Sequence, residues 1–248
     1  MPGEFVHATE KVENIKLVLE YDGAGFSGWQ KLTSGGKTYK RTVQEVVENA
    51  LTQILDTEII LTGASRTDSG VHARGQAANF RVDSPKLSVV TILKALNNIL
   101  PRDISIRSVT KVPYEFNARR DAKCKTYKYF WHNNGIRPAL GRQYCWHYVS
   151  EINLGVIQSE CRKFIGKKDF RQYAYRISDK KNTVCALTEV SARKIKGGFI
   201  VFTITGDRFL HKMVRWIVGY LIQRGQGKIN PVPWVVPPQG LCLEKIFY

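Results

Sequence analysis

Hydrophobic positions alternate with polar ones, or recur at helical spacing, along most of the chain, and this pattern predicts strands and helices. In the first half it predicts strands over residues 16–21, 58–63, 76–82 and 104–109, and helices over about 42–55 and 88–97. Thr42 and Glu45 have the spacing of a capping box for the first helix. Ser88 is a suitable cap for the second. The predicted order is β-α-β-β-α-β.

The second half repeats this order. Strands are predicted over residues 125–131, 188–195, 199–204 and 241–247, and helices over about 153–165 and 209–223. We therefore predict an α+β protein made of two tandem ferredoxin-like (split βαβ, RRM-like) domains with antiparallel sheets. The N-terminal domain would span residues 1–114 and the C-terminal domain 115–248. Helices on one face would leave the other face of each sheet free.

Composition narrows the class of partner. The chain of 248 residues is long enough for two domains, and 43% hydrophobic residues can build a proper core. Its 38 Lys plus Arg against 21 Asp plus Glu give a formal net charge of +17. A polyanion is the expected partner, with nucleic acid ahead of an anionic membrane surface. No apolar run approaches the roughly 20 residues of a spanning helix, and residues 1–14 lack a signal core. We expect a cytoplasmic protein with no membrane partner.

The five cysteines are widely spread and form no CxxC pair, so the sequence indicates neither a disulfide framework nor a zinc site. We expect buried or incidental thiols.

Residues 64–79 connect two predicted strands and hold four side chains of chemical interest, Arg66, Asp68, His72 and Arg74. We predict that Asp68 is the reactive group. If the three basic side chains approach its carboxylate, they favour the ionised form, which suits a nucleophile or a base. The alternative is a turn aspartate that accepts hydrogen bonds from neighbouring backbone N–H groups. One Asp and one His among arginines lack the ligands of a metal site.

A basic run precedes the aromatic strand of the second half. It contains Arg119, Arg120, Lys123, Lys125 and Lys128, and the strand holds Tyr127, Tyr129, Phe130 and Trp131. Basic side chains beside strand aromatics on an open sheet face are typical of RNA-binding modules. Alternation sends about half of the aromatics inward, so Tyr127 is either a platform for a base or a core residue. The alternative for the basic run is that its side chains form a solvated edge of the protein with no role in RNA binding.

The loop motif resembles a known family. Arg66-Thr67-Asp68-Ser69-Gly70-Val71-His72-Ala73, followed by Gly75-Gln76, is similar to the catalytic motif of the TruA-type tRNA pseudouridine synthases. Other segments agree in the same order: Tyr21-Asp22-Gly23, Gly28-Trp29-Gln30, Thr42-Val43-Gln44-Glu45, Ala118-Arg119, Lys125-Thr126-Tyr127-Lys128-Tyr129, Asp169-Phe170, and Phe209-Leu210-His211-Lys212-Met213-Val214-Arg215. The likeness spans nearly the whole chain.

The resemblance implies an enzyme with the pseudouridine synthase fold that isomerises uridine to pseudouridine in the anticodon stem-loop of transfer RNA, at positions 38, 39 and 40. It implies no cofactor and no metal, and a homodimer. Asp68 matches the essential aspartate and Tyr127 the tyrosine that packs against the base. Arg215 matches the arginine that pairs with the aspartate, and Arg66 the one that holds the nucleotide out of its helix. Arg74, Arg119, Arg120, Lys123 and Lys125 are the candidate RNA contacts.

Three features depart from the family pattern. Ser65 stands where the family usually has Gly. The segment over residues 227–239 is short and Pro-rich, whereas the family usually has a helix there. The loop over 31–41 is somewhat longer and basic, which makes it a candidate arm for phosphate contacts. Two other functions stay open: a catalytically silent RNA-binding or RNA-chaperone protein, and a structural dimer or assembly factor. A silent relative would be expected to lack Asp68, Tyr127 or Arg215, and all three are present.

Overall fold

The computed structural model describes residues 12–34, 37–38, 40–83, 85–175 and 182–248. The start of the chain and residues 35, 36 and 39 of the loop over 31–41 lie outside the described residues. Two basic side chains of this loop pair with carboxylates of the protein: Lys31 lies 3.4 Å from Glu48 and Arg41 lies 2.8 Å from Asp103. The helices are α1 Val43–Leu55, α2 Val89–Ile99, α3 Leu154–Arg162 and α4 Met213–Gly225. The strands are β1 Val12–Tyr21, β2 Thr33–Ser34, β3 Lys37–Thr38, β4 Thr62–Gly63, β5 His72–Asp83, β6 Ile104–Val112, β7 Cys124–His132, β8 Trp146–His147, β9 Gly166–Asp169, β10 Val184–Ile195, β11 Phe199–Gly206 and β12 Leu241–Phe247.

One ten-stranded sheet runs through both halves of the described chain in the order β6-β1-β5-β12-β7-β11-β10-β9, with β4 on β5 and β8 on β7. Most neighbours are antiparallel, as predicted. However, β12 pairs parallel with β5, with Cys242 opposite His72 and Leu243 opposite Ala73, and β8 pairs parallel with β7. The prediction of antiparallel sheets is therefore wrong for two strand pairs, β12 with β5 and β8 with β7. The last strand of the chain joins the two halves at the strand that follows the Asp68 loop.

The capping box predicted for α1 is wrong. Thr42 has the extended backbone of an N-cap residue, but its side chain makes no capping hydrogen bond. Instead, the N–H groups of Val43 and Gln44 donate to the carbonyls of Gly28 and Trp29, at 3.2 and 3.0 Å. The Gly-rich segment that precedes the helix supplies the acceptors that a free helix end needs. At α2 the prediction is confirmed, because the Ser88 hydroxyl accepts the N–H of Thr91.

The strand predicted over 58–63 is reduced to Thr62–Gly63. Leu61 is buried as its apolar pattern indicates, but side chains of α1 replace a partner strand. Gln44 Nε2 donates to the Leu61 carbonyl at 3.1 Å, and the Leu61 N–H donates to Glu48 Oε1 at 2.9 Å. Side-chain groups thus satisfy a buried backbone that the hydrophobic pattern alone assigned to a sheet.

The last helix begins four residues later than predicted. Lys212 has a left-handed backbone with φ of 60°, so the helical turn cannot extend back to Phe209. This places the segment 209–212 in a loop at the helix start, beside the Asp68 loop.

The helices cover the sheet and one cluster of buried apolar side chains spans both halves. The connection between the halves is also fixed in place. The buried side chain of Asn14 on β1 donates to the carbonyls of Pro113 and Phe116, and Asn79 on β5 accepts the Ala118 N–H at 2.8 Å. The segment where the domain boundary was predicted is thus hydrogen-bonded to the first half of the sheet.

Candidate active site

The loop over residues 64–71 leaves β4 and enters β5, and backbone hydrogen bonds hold it at several points. The Trp29 N–H donates to the Thr67 carbonyl at 3.1 Å and the Gly70 N–H to the Phe26 carbonyl at 3.3 Å. Gly23 lies so close to the loop that a Cβ there would be 2.0 Å from the Val71 carbonyl oxygen. The Gly-rich segment therefore packs backbone against backbone on the Asp68 loop, which only glycine permits.

Asp68 faces an arginine and a histidine from the far half of the chain. Its Oδ2 accepts from Arg215 Nη1 at 2.9 Å, and its Oδ1 lies 3.5 Å from His211 Nε2. The Asp68 side chain is 21% exposed and that of Arg215 is 10% exposed, so the pair is partly buried while the carboxylate reaches the cleft. The ion pair expected between Asp68 and Arg215 is present in the structure.

The basic sequence neighbours of Asp68 do not form ion pairs with it in the described chain, so the condition set by the sequence, that they approach its carboxylate, is not met. His72 lies on β5 with its Nδ1 3.1 Å from Asp22 Oδ1, and Arg74 lies 3.5 Å from Glu244. Arg66 is exposed at the border of the cleft. Strand geometry explains the positions of His72 and Arg74: they are two residues apart on β5, so they project to the same face of the sheet, where both line a second cavity and not the cleft of Asp68.

The Pro-rich segment positions Arg215. Its guanidinium Nε donates to the Val236 carbonyl at 2.8 Å, while Nη1 bonds Asp68. The described chain has no α-helix over 227–239, and Val236 is fully buried there. The departure from the usual family pattern therefore does not leave α4 uncovered, since this segment packs on the helix and anchors its arginine.

Tyr127 projects from β7 into the same cleft and is 5% exposed. Its hydroxyl lies 2.8 Å from the Ser65 hydroxyl, and its ring meets the Phe209 ring edge to face, with centroids 5.1 Å apart. Burial raises the pKa of Tyr127 to about 12, against a smaller opposing effect of the Ser65 hydrogen bond, and the Asp68 charge also raises it. The phenol is therefore neutral at neutral pH.

The cleft lies on the helix side of the sheet and not on an open face. Tyr127 shares it with Met213 and Arg215 of α4, whereas Phe130 projects to the opposite face, where it lines a second cavity with Arg74. The expectation of an RNA platform on the free sheet face is thus wrong for Tyr127. Tyr129 is fully buried and its hydroxyl donates to the Pro237 carbonyl, which makes it a core residue.

The cleft has a volume of about 760 Å³ and a strongly basic border. Its charged side chains include Arg66, Arg119, Arg120, Lys125, Arg208 and Lys212. Of the RNA contacts predicted from sequence, Arg119, Arg120 and Lys125 line the cleft, whereas Lys123 and Arg74 do not.

Of the three predicted RNA contacts that line the cleft, the side chains of Lys125 and Arg120 already have partners in the protein. Lys125 Nζ donates to the Ala64 carbonyl at 2.9 Å, and burial, followed by the charge of Arg119, lowers the pKa of Lys125. Arg120 Nε donates to Asp121 at 2.9 Å. Lys125 therefore holds the start of the Asp68 loop, a role that its position in a basic run does not indicate.

Three residues of the site had no role assigned from the sequence: Ser65, His211 and Phe209. All three contact Asp68 or Tyr127 across a long stretch of chain. Phe209 and His211 belong to a motif that supports the family resemblance, which is the only signal that could have indicated them. Within the described ranges, no group of three His, Cys, Asp or Glu side chains is placed to hold a metal, and no helix is long and apolar enough to cross a bilayer.

Comparison with known proteins identifies the family. A family model described as tRNA pseudouridine synthase matches residues 17–121 and 161–236, which together make up more than half of the chain. The chain belongs to the tRNA pseudouridine synthase family. The matched ranges include Asp68 and Arg215, whereas Tyr127 lies between them.

Curated relatives agree over nearly the full length of the chain. A protein named tRNA pseudouridine synthase A from Clostridium botulinum is 39% identical, covering 96% of this chain and 100% of the relative. Proteins of the same name from Geotalea daltonii and Caldicellulosiruptor bescii are 36% and 35% identical with the same coverage. The similarity therefore extends to both halves of the cleft.

Proposed function

We propose that this protein isomerises uridine to pseudouridine in transfer RNA and that Asp68 starts the reaction. The observation that carries the proposal is the Asp68–Arg215 ion pair, which lies beside a neutral buried tyrosine in a basic cleft. Family membership and the names of the relatives support the same activity.

The reaction breaks the N1–C1′ bond of uridine, retains and turns the uracil, and forms a C5–C1′ bond. A carboxylate can start it by attacking C1′ or by removing a sugar proton. Both routes need a negative charge at a fixed position. Arg215 compensates that charge at 2.9 Å and is itself anchored by the Val236 carbonyl, so the carboxylate is held in place before the substrate arrives.

Tyr127 is suited to retain the detached base. Stacking of a base on an aromatic ring contributes roughly 1 to 3 kcal/mol. The Phe209 ring fixes the orientation of the Tyr127 ring, so the surface that a base would meet is preformed. Arg66, exposed at the cleft border, is the candidate to occupy the space that an extruded nucleotide leaves. Extrusion costs a few kcal/mol, about the amount that phosphate contacts can offset.

We infer that the anticodon stem-loop, at positions 38, 39 and 40, is the part of the transfer RNA that enters the cleft. The resemblance of the motifs supports this assignment, and the basic side chains Arg119, Arg120 and Lys125 along the cleft are suited to the phosphates of a folded RNA. Arg74 and Lys123, outside the cleft, would contact RNA only at a distance from the reacting nucleotide.

The test uses transfer RNA tritiated at uracil C5, because forming the new bond at C5 releases that tritium to water. Wild type should release it and Asp68→Asn should release none while still binding the RNA. Asp83→Asn, an exposed carboxylate at the end of β5, is the matched control and should behave as wild type. RNA binding without release from the wild type would favour the alternative, a catalytically silent RNA-binding protein.

We further propose that residues 1–114 and 115–248 form two tandem ferredoxin-like units. Each half provides two helices and at least four strands, and the six predicted elements occur in the predicted order with β2, β3, β8 and β9 added. Expressing the two halves separately and together tests this, because independent units should restore activity when mixed.

We also propose a homodimer that acts in the cytoplasm. The support for a dimer is the family resemblance together with Ile136 and Leu140, which are 80% and 93% exposed within one loop and would be covered by a second copy. Light scattering on the wild type and on Ile136→Glu tests it, since a charged side chain in such an interface should yield monomers. A transfer RNA substrate supports the cytoplasmic location.

A further inference from the structure

The hydroxyl groups of Ser65 and Tyr127 form a pair at the floor of the cleft. Their oxygens are 2.8 Å apart, and the two residues are 62 positions apart in the chain. A buried phenol normally has a hydrogen-bond partner, and among the described residues Ser65 is the one that Tyr127 has.

Ser65 is held rigidly enough to direct its hydroxyl. The fully buried amide of Gln76 bonds both sides of the Ser65 backbone, accepting its N–H at 3.3 Å and donating to its carbonyl at 2.7 Å. Lys125 Nζ fixes the preceding carbonyl, that of Ala64, at 2.9 Å. The backbone position from which the Ser65 side chain projects is therefore set by three hydrogen bonds to its own and the adjacent peptide.

A tyrosine hydroxyl donates one hydrogen bond and can also accept. Whichever of the two hydroxyls is the donor, the pair uses one of these capacities of Tyr127, and the other has no partner among the described residues of the cleft that Tyr127 lines. The Tyr127 pKa of about 12 keeps the proton on the phenol, so the remaining capacity is that of a neutral hydroxyl.

We propose that Ser65 is a positioning residue for the isomerisation: it orients the Tyr127 hydroxyl so that this group makes one fixed polar contact with the edge of the uracil. The inference rests on the proposed function. A uracil edge presents carbonyl acceptors and an N–H donor, and a base that must turn without leaving the cleft gains from a contact whose direction is set beforehand.

The experiment compares Ser65→Ala with Ser65→Thr, which keeps a hydroxyl on the same carbon. Tritium release is followed in single turnover with enzyme in excess, and transfer RNA affinity is measured in parallel by filter binding. Ser65→Ala should lower the single-turnover rate roughly threefold to tenfold, as expected for one hydrogen bond, with affinity within about twofold of wild type. Ser65→Thr should keep most of the rate. Thermal melting of each variant reports whether the loop fold is retained.

A double-mutant cycle with Tyr127→Phe adds a readout that a structural role would not change. If Ser65 acts through the Tyr127 hydroxyl, Ser65→Ala should cause no further loss once that hydroxyl is absent. An equal loss in both backgrounds, an unchanged rate in Ser65→Ala, or a rate in Ser65→Thr as low as that of Ser65→Ala overturns the inference. Release of no tritium by the wild type overturns the proposed function first, and the inference with it.

Discussion

Arg215 Nη1 lies 2.9 Å from Asp68 Oδ2, although the two residues are 147 positions apart in the chain. One is in the first turn of α4 and the other is in the loop between β4 and β5, so the contact forms only when both halves have folded against each other. The candidate site is thus a product of the interface between the halves, which β12 completes by pairing with a strand from each.

Arg215→Lys should lower the rate of tritium release about tenfold to a hundredfold. A lysine keeps the positive charge but cannot bond Asp68 and the Val236 carbonyl at the same time, so the carboxylate is less well placed. The matched control is Arg224→Lys on the same helix, where the guanidinium pairs with Glu160 outside the cleft. A loss of similar size in Arg224→Lys would show that the effect comes from α4 stability and not from Asp68.

Arg66→Ala should slow turnover more than it weakens RNA binding. Arg66 is exposed at the cleft border and is proposed to act while the nucleotide is extruded, so its contribution arises after the encounter with RNA. Single-turnover rates and binding constants measure the two effects separately. Arg107→Ala, a solvent-exposed arginine on β6 paired with Glu20, is the control. Equal losses of rate and affinity in Arg66→Ala would indicate an ordinary phosphate contact.

Arg119→Gln should reduce the salt dependence of transfer RNA binding. Removing the cation from one phosphate lowers the slope of log affinity against log salt by about 0.7 to 0.9. Arg119 is exposed and lines the cleft. Lys94→Gln removes one charge from the exposed side of α2 and should leave the slope unchanged. A slope equal to that of the wild type in both variants would place the RNA phosphates away from Arg119.

The protein should lose stability as the pH falls below about 6.5, the ordinary value for histidine. Burial lowers the pKa of His72, and the nearby Asp22 carboxylate reverses only part of this shift. His72 Nδ1 accepts the Gly23 N–H at 3.1 Å, which also requires the unprotonated nitrogen, and the Tyr144 ring packs edge to face on the imidazole.

The direction in which stability changes with pH follows from proton binding at His72. The unfolded chain takes up a proton at His72 at a higher pH than the folded protein, so the stability from this group is present above the ordinary pKa and is lost as the pH falls through the lowered one. Melting temperatures measured between pH 8 and pH 5 should therefore fall less steeply in His72→Gln than in the wild type. Identical slopes would show that His72 does not titrate differently on folding.

Gly23→Ala should destabilise the fold and the Asp68 loop. The new Cβ would lie 2.0 Å from the Val71 carbonyl oxygen. The three atoms nearest to it are all backbone atoms of Val71, so no flexible side chain can move to relieve the clash. Overpacking of this kind costs about 1 to 3 kcal/mol, which corresponds to a fall in melting temperature of roughly 5 °C for a chain of this size. Gly135→Ala, where a Cβ meets nothing within 4 Å, is the matched control. An unchanged melting temperature in Gly23→Ala would contradict the close packing.

Local pattern predicted most elements well. The strand over 241–247 has the bounds that the sequence indicates, and α2 begins after Ser88 as its capping residue requires. The errors have a common cause. Thr42 does not cap α1, and Leu61 is not paired with a strand, because groups distant in the chain supply those hydrogen bonds instead. Local sequence propensity cannot predict a hydrogen-bond partner that only tertiary packing brings into contact.

By itself the sequence determined the order of strands and helices, the basic character of the surface, and Asp68 as the candidate reactive group, because periodicity, composition and a short motif are properties of neighbouring residues. The family resemblance of the sequence already implied the pairing of Arg215 with Asp68, which the structure contains. The tertiary structure alone decided that His211 also faces Asp68, that Tyr127 lies on the helix side of the sheet, and that Ser65 bonds the Tyr127 hydroxyl. These contacts join segments that only the assembly of the sheet around β12 brings within hydrogen-bonding distance, and a hydrogen bond depends on distance in space and not along the chain.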